Sequence, residues 1–146
     1  MKSAVRLINV TKSFRKERVL KGITHSFEQG KIHGIMGFNG SGKTVMFKCI
    51  CGFLRPDSGE VIVQGRRIGK DGDFPRSVGM IIENPGFLPH VSGFSNLKRL
   101  AAIRNQVTDE QIRESIARVG LDPFSKKKVG QYSLGMRERL GIAQAI

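Results

Sequence analysis

The sequence predicts an α/β fold, with short strands in its first half and amphipathic helices in its second half. Three observations lead to this prediction. Short apolar segments alternate with polar turns up to residue 86, apolar residues recur at helical spacing from residue 87, and a glycine-rich loop joins a strand to a helix. The 146 residues, 39% apolar and 25% charged, have the length and balance of one globular domain.

Five strands are expected in residues 1–86. The first two, over residues 5–10 and 19–27, should form a small antiparallel β region. Residues 32–36 are a compact apolar run without charge, which predicts a strand buried on both faces. The last two strands are predicted at residues 61–63 and 78–82.

Four helices are expected, each with a recognisable start signal or apolar face. They run from Lys43 to a stop at Gly52, over residues 95–103, over residues 108–119, and from Ser133 onward. Thr108 and Gln111 form a capping box, and serine is a favoured N-cap residue.

Composition argues against several classes of protein. No window approaches the roughly eighteen consecutive apolar residues of a membrane span, so the chain is expected in the cytosol. Cys49 and Cys51 suit neither a disulfide nor a four-ligand zinc site and are expected to be reduced packing residues. The net charge of +13 favours anionic partners, but no recognition motif accompanies it, so specific nucleic-acid binding is not expected.

The segment Gly37–Thr44 matches the pattern of Gly, four residues, Gly, Lys and Ser or Thr between a strand and a helix. Its glycines let backbone N–H groups surround a phosphate, and the helix N-terminus adds partial positive charge. Lys43 would reach the β- and γ-phosphates, and the Thr44 hydroxyl would ligate Mg²⁺. The predicted ATP-binding residues of this loop are Gly37, Asn39, Gly40, Ser41, Gly42, Lys43 and Thr44.

Two alternatives compete with this interpretation. A glycine-rich turn with an incidental lysine needs no ligand at all. A dinucleotide-binding loop would want Gly or Ala where Val45 stands and has no use for Lys43 and Thr44. The pattern therefore favours a mononucleoside triphosphate.

Two further segments carry weaker signals. Phe14 lies among cationic residues in a predicted loop and could stack on a base, although packing alone would also explain it. Ser133 and Gly135 lie at a predicted helix N-terminus, which could bind an anion, although an N-cap serine is mostly just a cap.

Taken in order, these segments resemble the ATP-binding subunits of ABC transporters, and the resemblance covers the whole chain. Phe14 stands at the adenine-stacking position, Gly37–Thr44 at the phosphate loop, and Glu83 where the family has the glutamine of its Q-loop. The resemblance implies that Thr44 and Glu83 face Mg²⁺, unless Glu83 is an exposed glutamate without a role. It also implies signature residues that contact ATP on a partner subunit, namely Ser133, Leu134, Gly135 and Met136.

Glu83 and the sequence Tyr-Ser-Leu-Gly-Met at 132–136 are similar to the subgroup that exports bacitracin-like and lantibiotic peptides. The resemblance implies a partial ABC nucleotide-binding domain, with an ATP-binding core at 1–86 and a helical subdomain at 87–146. Such a subunit binds ATP and Mg²⁺ and dimerises head to tail. It works with a membrane permease at the inner face of the cell membrane.

The resemblance gives no position here to the Mg²⁺-binding aspartate, the catalytic glutamate or the switch histidine of the family. ATPase activity is therefore expected of a parent protein, and sustained hydrolysis by this chain alone is not. Two alternatives stay open. One is a nucleotide-binding fragment without catalysis, and the other is a soluble ABC protein acting on ribosomes or nucleic acid.

Overall fold

The computed structural model describes residues 2–81 and 86–146. These residues divide into two compact units, of which the first ends at Val78 and the second starts at Gly79. In the described ranges, no helix is both long enough and apolar enough to cross a bilayer.

The first unit contains a four-stranded antiparallel sheet. Its strands are β1 (Ser3–Phe14), β2 (Glu17–Glu28), β3 (Ser58–Val63) and β4 (Arg66–Arg67), in the order β2-β1-β3-β4. The expected N-terminal antiparallel region is therefore confirmed. It is longer than predicted, because β1 and β2 continue to a tight turn where Arg15 has a φ of 55°. Residues 61–63 form a strand as expected.

One helix, α1 (Lys43–Ile50), packs on this sheet. The buried residues of this core are Leu7, Val10, Leu20, Met46, Cys49, Ile50, Val61 and Val63. Both Cys49 and Cys51 are free and buried, as predicted. Burial raises the pKa of both thiols, which keeps them protonated and suits a packing role.

The prediction of a buried strand at residues 32–36 is wrong. These residues form no strand, and the side chains of Ile32 and Met36 are almost fully exposed, at 103% and 96%. A strand buried on both faces needs a hydrogen-bonded neighbour, and the strands in the described residues pair only among themselves. Residues 78–81 form no strand either, and the last residue of that predicted strand, Ile82, lies outside the described residues.

The second unit is helical. It contains α2 (Gly93–Arg104), α3 (Asp109–Arg118), a 3₁₀ turn at Val129–Gln131 and α4 (Leu134–Ala143). The predicted capping box is present, with the Thr108 hydroxyl accepting from the Gln111 N–H and the Gln111 side chain accepting from the Thr108 N–H. The three helices and the segments between them share one core, made of Leu97, Ile112, Ile116, Leu121, Val129, Tyr132, Leu140 and Ala143.

Candidate functional site

The glycine-rich loop lies directly before α1, as the sequence predicts. Within it, the Ser41 N–H donates to the Phe38 carbonyl at 3.1 Å, which makes a tight turn. Gly42 is the N-cap residue of α1 and has a φ of 92°, a conformation that L-residues rarely adopt. A Cβ at Gly42 would lie 3.0 Å from side-chain atoms of both Val19 and Leu20. Strand β2 therefore lies against the end of the loop, and a side chain at Gly42 would require Val19 and Leu20 to shift.

The first turn of α1 presents backbone N–H groups without acceptors. No side chain within residues 2–81 and 86–146 caps this helix, and the first hydrogen bond across the turn is the one from the Met46 N–H to the Gly42 carbonyl, at 2.9 Å. Among the described residues, none accepts a hydrogen bond from the N–H of Lys43, Thr44 or Val45. Together with the helix dipole, these donors form an anion-binding end.

Lys43 adds a full positive charge at the same place. Its Nζ lies 2.5 Å from the Gly37 carbonyl oxygen and 2.9 Å from that of Phe38, so the ammonium group sits across the loop. Thr44 is exposed, and its hydroxyl has no hydrogen-bond partner in the described ranges. Free amides, an ammonium group and a free hydroxyl are the donor set that a magnesium-bound triphosphate requires, so the residues fit this ligand.

Phe14 is the last residue of β1, and 43% of its side chain is exposed. It pairs with Glu17 at the start of β2, two residues before the Val19 that flanks Gly42. Two residues of strand span about 7 Å. The hairpin therefore brings an exposed aromatic ring near the loop, a position suited to a base whose phosphates lie at α1.

Asp57, next to the end of β1 that carries Phe14, is a residue of this region that no motif in the sequence predicts. The Asp57 carboxylate accepts a hydrogen bond from Lys12 Nζ at 2.9 Å and another from the Ser13 N–H at 2.6 Å. The hydrogen bond from Lys12, followed by that from Ser13, lowers the pKa of the Asp57 carboxyl below its ordinary value. These partners are 44 and 45 residues away along the chain, so no local pattern in the sequence could have indicated the contact.

The signature segment forms the start of α4. Ser133 is its N-cap, with Oγ accepting from the Met136 N–H at 3.2 Å, so the capping interpretation is confirmed. Leu134 is 66% exposed, and a Cβ at Gly135 would meet no atom within 4 Å. The N-terminus of α4 is thus open to an approaching group. Contact with a nucleotide on a second subunit stays a prediction.

Glu83, the predicted Q-loop residue and second Mg²⁺-facing residue, lies outside the described residues. Within the ranges that the structure does describe, no three His, Cys, Asp or Glu side chains are grouped so as to hold a metal ion. Thr44 is therefore the described residue on which the magnesium prediction rests.

The chain is similar to known ATP-binding proteins over most of its length. Residues 20–146 match the family model described as ABC transporter. The chain is 45% identical over 142 residues to YybJ, an uncharacterized ABC transporter ATP-binding protein of Bacillus subtilis, covering 97% of this chain and 65% of YybJ. It is 34% identical to the spermidine/putrescine import ATP-binding protein PotA of Fusobacterium nucleatum, covering 99% of this chain and 39% of PotA. It is 33% identical to the bacitracin transport ATP-binding protein BcrA of Bacillus licheniformis, covering 100% of this chain and 48% of BcrA.

The fold is also that of a solved ATP-binding cassette. MJ0796, a dimer in a post-hydrolysis state with ADP and Pi, superposes with a TM-score of 0.79 at 23% identity, covering 97% of this chain and 68% of that one. The chain spans between 39% and 65% of the length of the three relatives above. The family match covers most of the chain and includes the phosphate loop, α1 and the signature segment, and the chain therefore belongs to the ABC transporter family.

Proposed function

We propose that this chain binds MgATP through Gly37–Thr44, as part of the ATP-binding subunit of an ABC transporter. One observation carries the proposal. The acceptor-free N–H groups of Lys43, Thr44 and Val45 and the Lys43 ammonium group lie at the same helix end. A neutral ligand could accept some of these hydrogen bonds but would leave the positive charge unmatched, whereas a polyphosphate supplies both acceptors and negative charge.

The chemistry of each residue follows from its position. The amides and Lys43 would hold the β- and γ-phosphates, and the Thr44 hydroxyl would face the magnesium ion, which neutralises phosphate charge when bound. Phe14 would stack on adenine. Glu83 is proposed as a second Mg²⁺-facing residue on the resemblance alone.

We further infer a head-to-tail pair of such subunits on a membrane permease, at the cytoplasmic face of the membrane. The dimeric MJ0796 cassette and the open N-terminus of α4 at Gly135 support the pair. The relatives' names support a role in transport. The alternative of a soluble protein acting on ribosomes or nucleic acid has no comparable support.

For the direction and solute, we propose export of a peptide antibiotic or similar compound. The match to BcrA, over 100% of this chain and 48% of BcrA, and the composition of the signature segment support export. PotA is an import protein at similar identity, so identity by itself does not separate the two directions. Bacitracin or lantibiotic resistance, measured in cells with and without the parent gene and its permease, tests export. Unchanged resistance to both classes of peptide would contradict it.

The test of ATP binding compares Lys43→Ala with Lys70→Ala in a titration with ATP and Mg²⁺. Lys70 is an exposed lysine of the same unit, paired with Glu60 at 2.8 Å, and it takes no part in the loop. Because Lys43 supplies the full charge at the loop, its loss should weaken binding at least about tenfold, whereas Lys70→Ala should bind like the parent. Equal affinity in the two variants would refute the phosphate-loop assignment.

A further inference from the structure

Strand β1 extends beyond the region in which it pairs with β3. Pairing between β1 and β3 ends at Thr11 and Ser58, yet β1 continues to Phe14. Over these last residues β1 pairs with β2 alone, and the register is irregular between Lys12 and Ser13. The end of the strand that carries the exposed ring thus lacks a backbone neighbour on one side.

The Asp57 side chain takes the place of that neighbour. One carboxylate oxygen accepts the Ser13 N–H at 2.6 Å, as a carbonyl of a third strand would. The Asp57 backbone N–H donates to the Thr11 carbonyl at 2.8 Å, and the hydroxyls of Thr11 and Ser58 lie 2.7 Å apart. Asp57 and Ser58 therefore secure the residues that lead into Phe14.

The second carboxylate oxygen of Asp57 acts on the ring itself through Lys12. It holds Lys12 Nζ at 2.9 Å, and the Lys12 side chain is only 18% exposed. The same Nζ lies 5.8 Å from the centroid of the Phe14 ring, within the range of a cation–π contact. Asp57 thus fixes the backbone just before Phe14 and places a cation beside its ring.

We propose that Asp57 is a positioning residue for the nucleotide base, holding the end of β1 so that the Phe14 ring is ready to stack on adenine. This inference rests on the proposed function, because it assumes that ATP binds with its base at Phe14. A ring that is already held in place spares the ligand the entropic cost of ordering it. Asp57 makes no hydrogen bond or ion pair with the phosphate loop among the described residues. The charges of Asp57 and Lys12 do act on the buried Cys49 of α1, so a probe without a base is needed to show that the effect of Asp57 is on the base.

The test measures binding of two probes, ATP and inorganic tripolyphosphate, each with Mg²⁺. Tripolyphosphate shares the phosphate chemistry of ATP and lacks the base. Asp57→Ala should weaken ATP binding about fivefold, near the lower end of what a base–aromatic stack contributes, and leave tripolyphosphate binding unchanged. The matched control is Asp73→Ala, which removes another exposed aspartate of the same unit, paired with Arg55 at 2.8 Å, and should change neither affinity.

A double-mutant cycle separates positioning from general damage. Phe14→Ala should give an ATP-specific loss of its own, and adding Asp57→Ala to it should cost nothing more, because the ring on which Asp57 acts is gone. Asp57→Asn keeps an acceptor for the Ser13 N–H but loses the charge that holds Lys12, so its loss should be smaller. If circular dichroism shows that Asp57→Ala does not fold, Asp57→Asn is used in its place to compare ATP binding with tripolyphosphate binding.

The outcomes distinguish this inference from the proposed function. Equal losses for ATP and tripolyphosphate, additive effects of Asp57→Ala and Phe14→Ala, or no loss of ATP binding in the Asp57 variants would each overturn the positioning role. In all three cases Lys43→Ala would still weaken binding of both probes at least about tenfold if the phosphate loop is assigned correctly. Unchanged affinity of Lys43→Ala for both probes would instead refute the proposed function.

Discussion

Replacing Gly42 with alanine tests whether β2 shapes the phosphate loop. Two costs add at this position. A φ of 92° places an L-residue in a left-handed conformation, which costs about 1–2 kcal/mol. The new Cβ would also lie 3.0 Å from Val19 Cγ1 and Leu20 Cδ2 and 3.3 Å from the Val19 carbonyl oxygen, and such overpacking costs about 1–3 kcal/mol. Leu20 is 1% exposed and belongs to the core, so it has little room to move aside.

Gly65→Ala is the matched control because it carries only the first cost. Gly65 has a φ of 81° in the turn between β3 and β4, and a Cβ there would meet no atom within 4 Å. Any gain from restricting the unfolded chain is common to both replacements and cancels in the comparison. Gly42→Ala should therefore lower the opening free energy of this unit by about 1–3 kcal/mol more than Gly65→Ala does.

Hydrogen exchange of the β1 and β2 amides measures this difference, because it reports opening of the sheet of the first unit specifically. The same samples, titrated with ATP, show whether the loop geometry has also been lost. Equal exchange rates in Gly42→Ala and Gly65→Ala would mean that Val19 and Leu20 do not confine the loop. Such a result would refute the proposed packing of β2 against Gly42.

Two other predictions concern the second unit and the pH dependence of the first. Leu140 is fully buried, so Leu140→Ala should destabilise by about 2–5 kcal/mol in urea unfolding followed by fluorescence of Tyr132, the single tyrosine of a chain without tryptophan. Leu134→Ala, at a 66% exposed position, is its control, and a similar loss in both would contradict the assigned core. The pKa of Asp57 is lowered by Lys12 and Ser13, so the folded state binds this proton less readily than the unfolded chain and gains stability above the unfolded pKa. That contribution should be lost as the pH falls through the folded pKa, and the Ser13 amide chemical shift should titrate with a midpoint below the ordinary pKa of an aspartate, whereas a midpoint at or above that pKa would contradict the contact.

Features set by neighbours in the chain could be predicted from the sequence. The phosphate loop before α1, the capping box at Thr108 and the N-cap at Ser133 all lie where they were expected. Each depends on hydrogen bonds or dihedral angles that involve residues within a few positions of one another. The glycines and the Lys-Thr pair are therefore enough to place the loop, and the family match agrees.

Features that depend on distant partners were decided only by the tertiary structure. Residues 32–36 have the composition of a buried strand, but a strand exists only where another strand hydrogen-bonds to it, and no pattern within those five residues supplies that neighbour. Asp57 is the converse example, because its position in a turn predicts no role. The pairing of β3 with β1 brings its carboxylate to the Ser13 N–H near the end of β1. The amino-acid sequence by itself determined which chemical groups the phosphate loop carries. Long-range strand pairing decided which residues hold that loop and Phe14 in place, since such contacts join segments that only folding brings together.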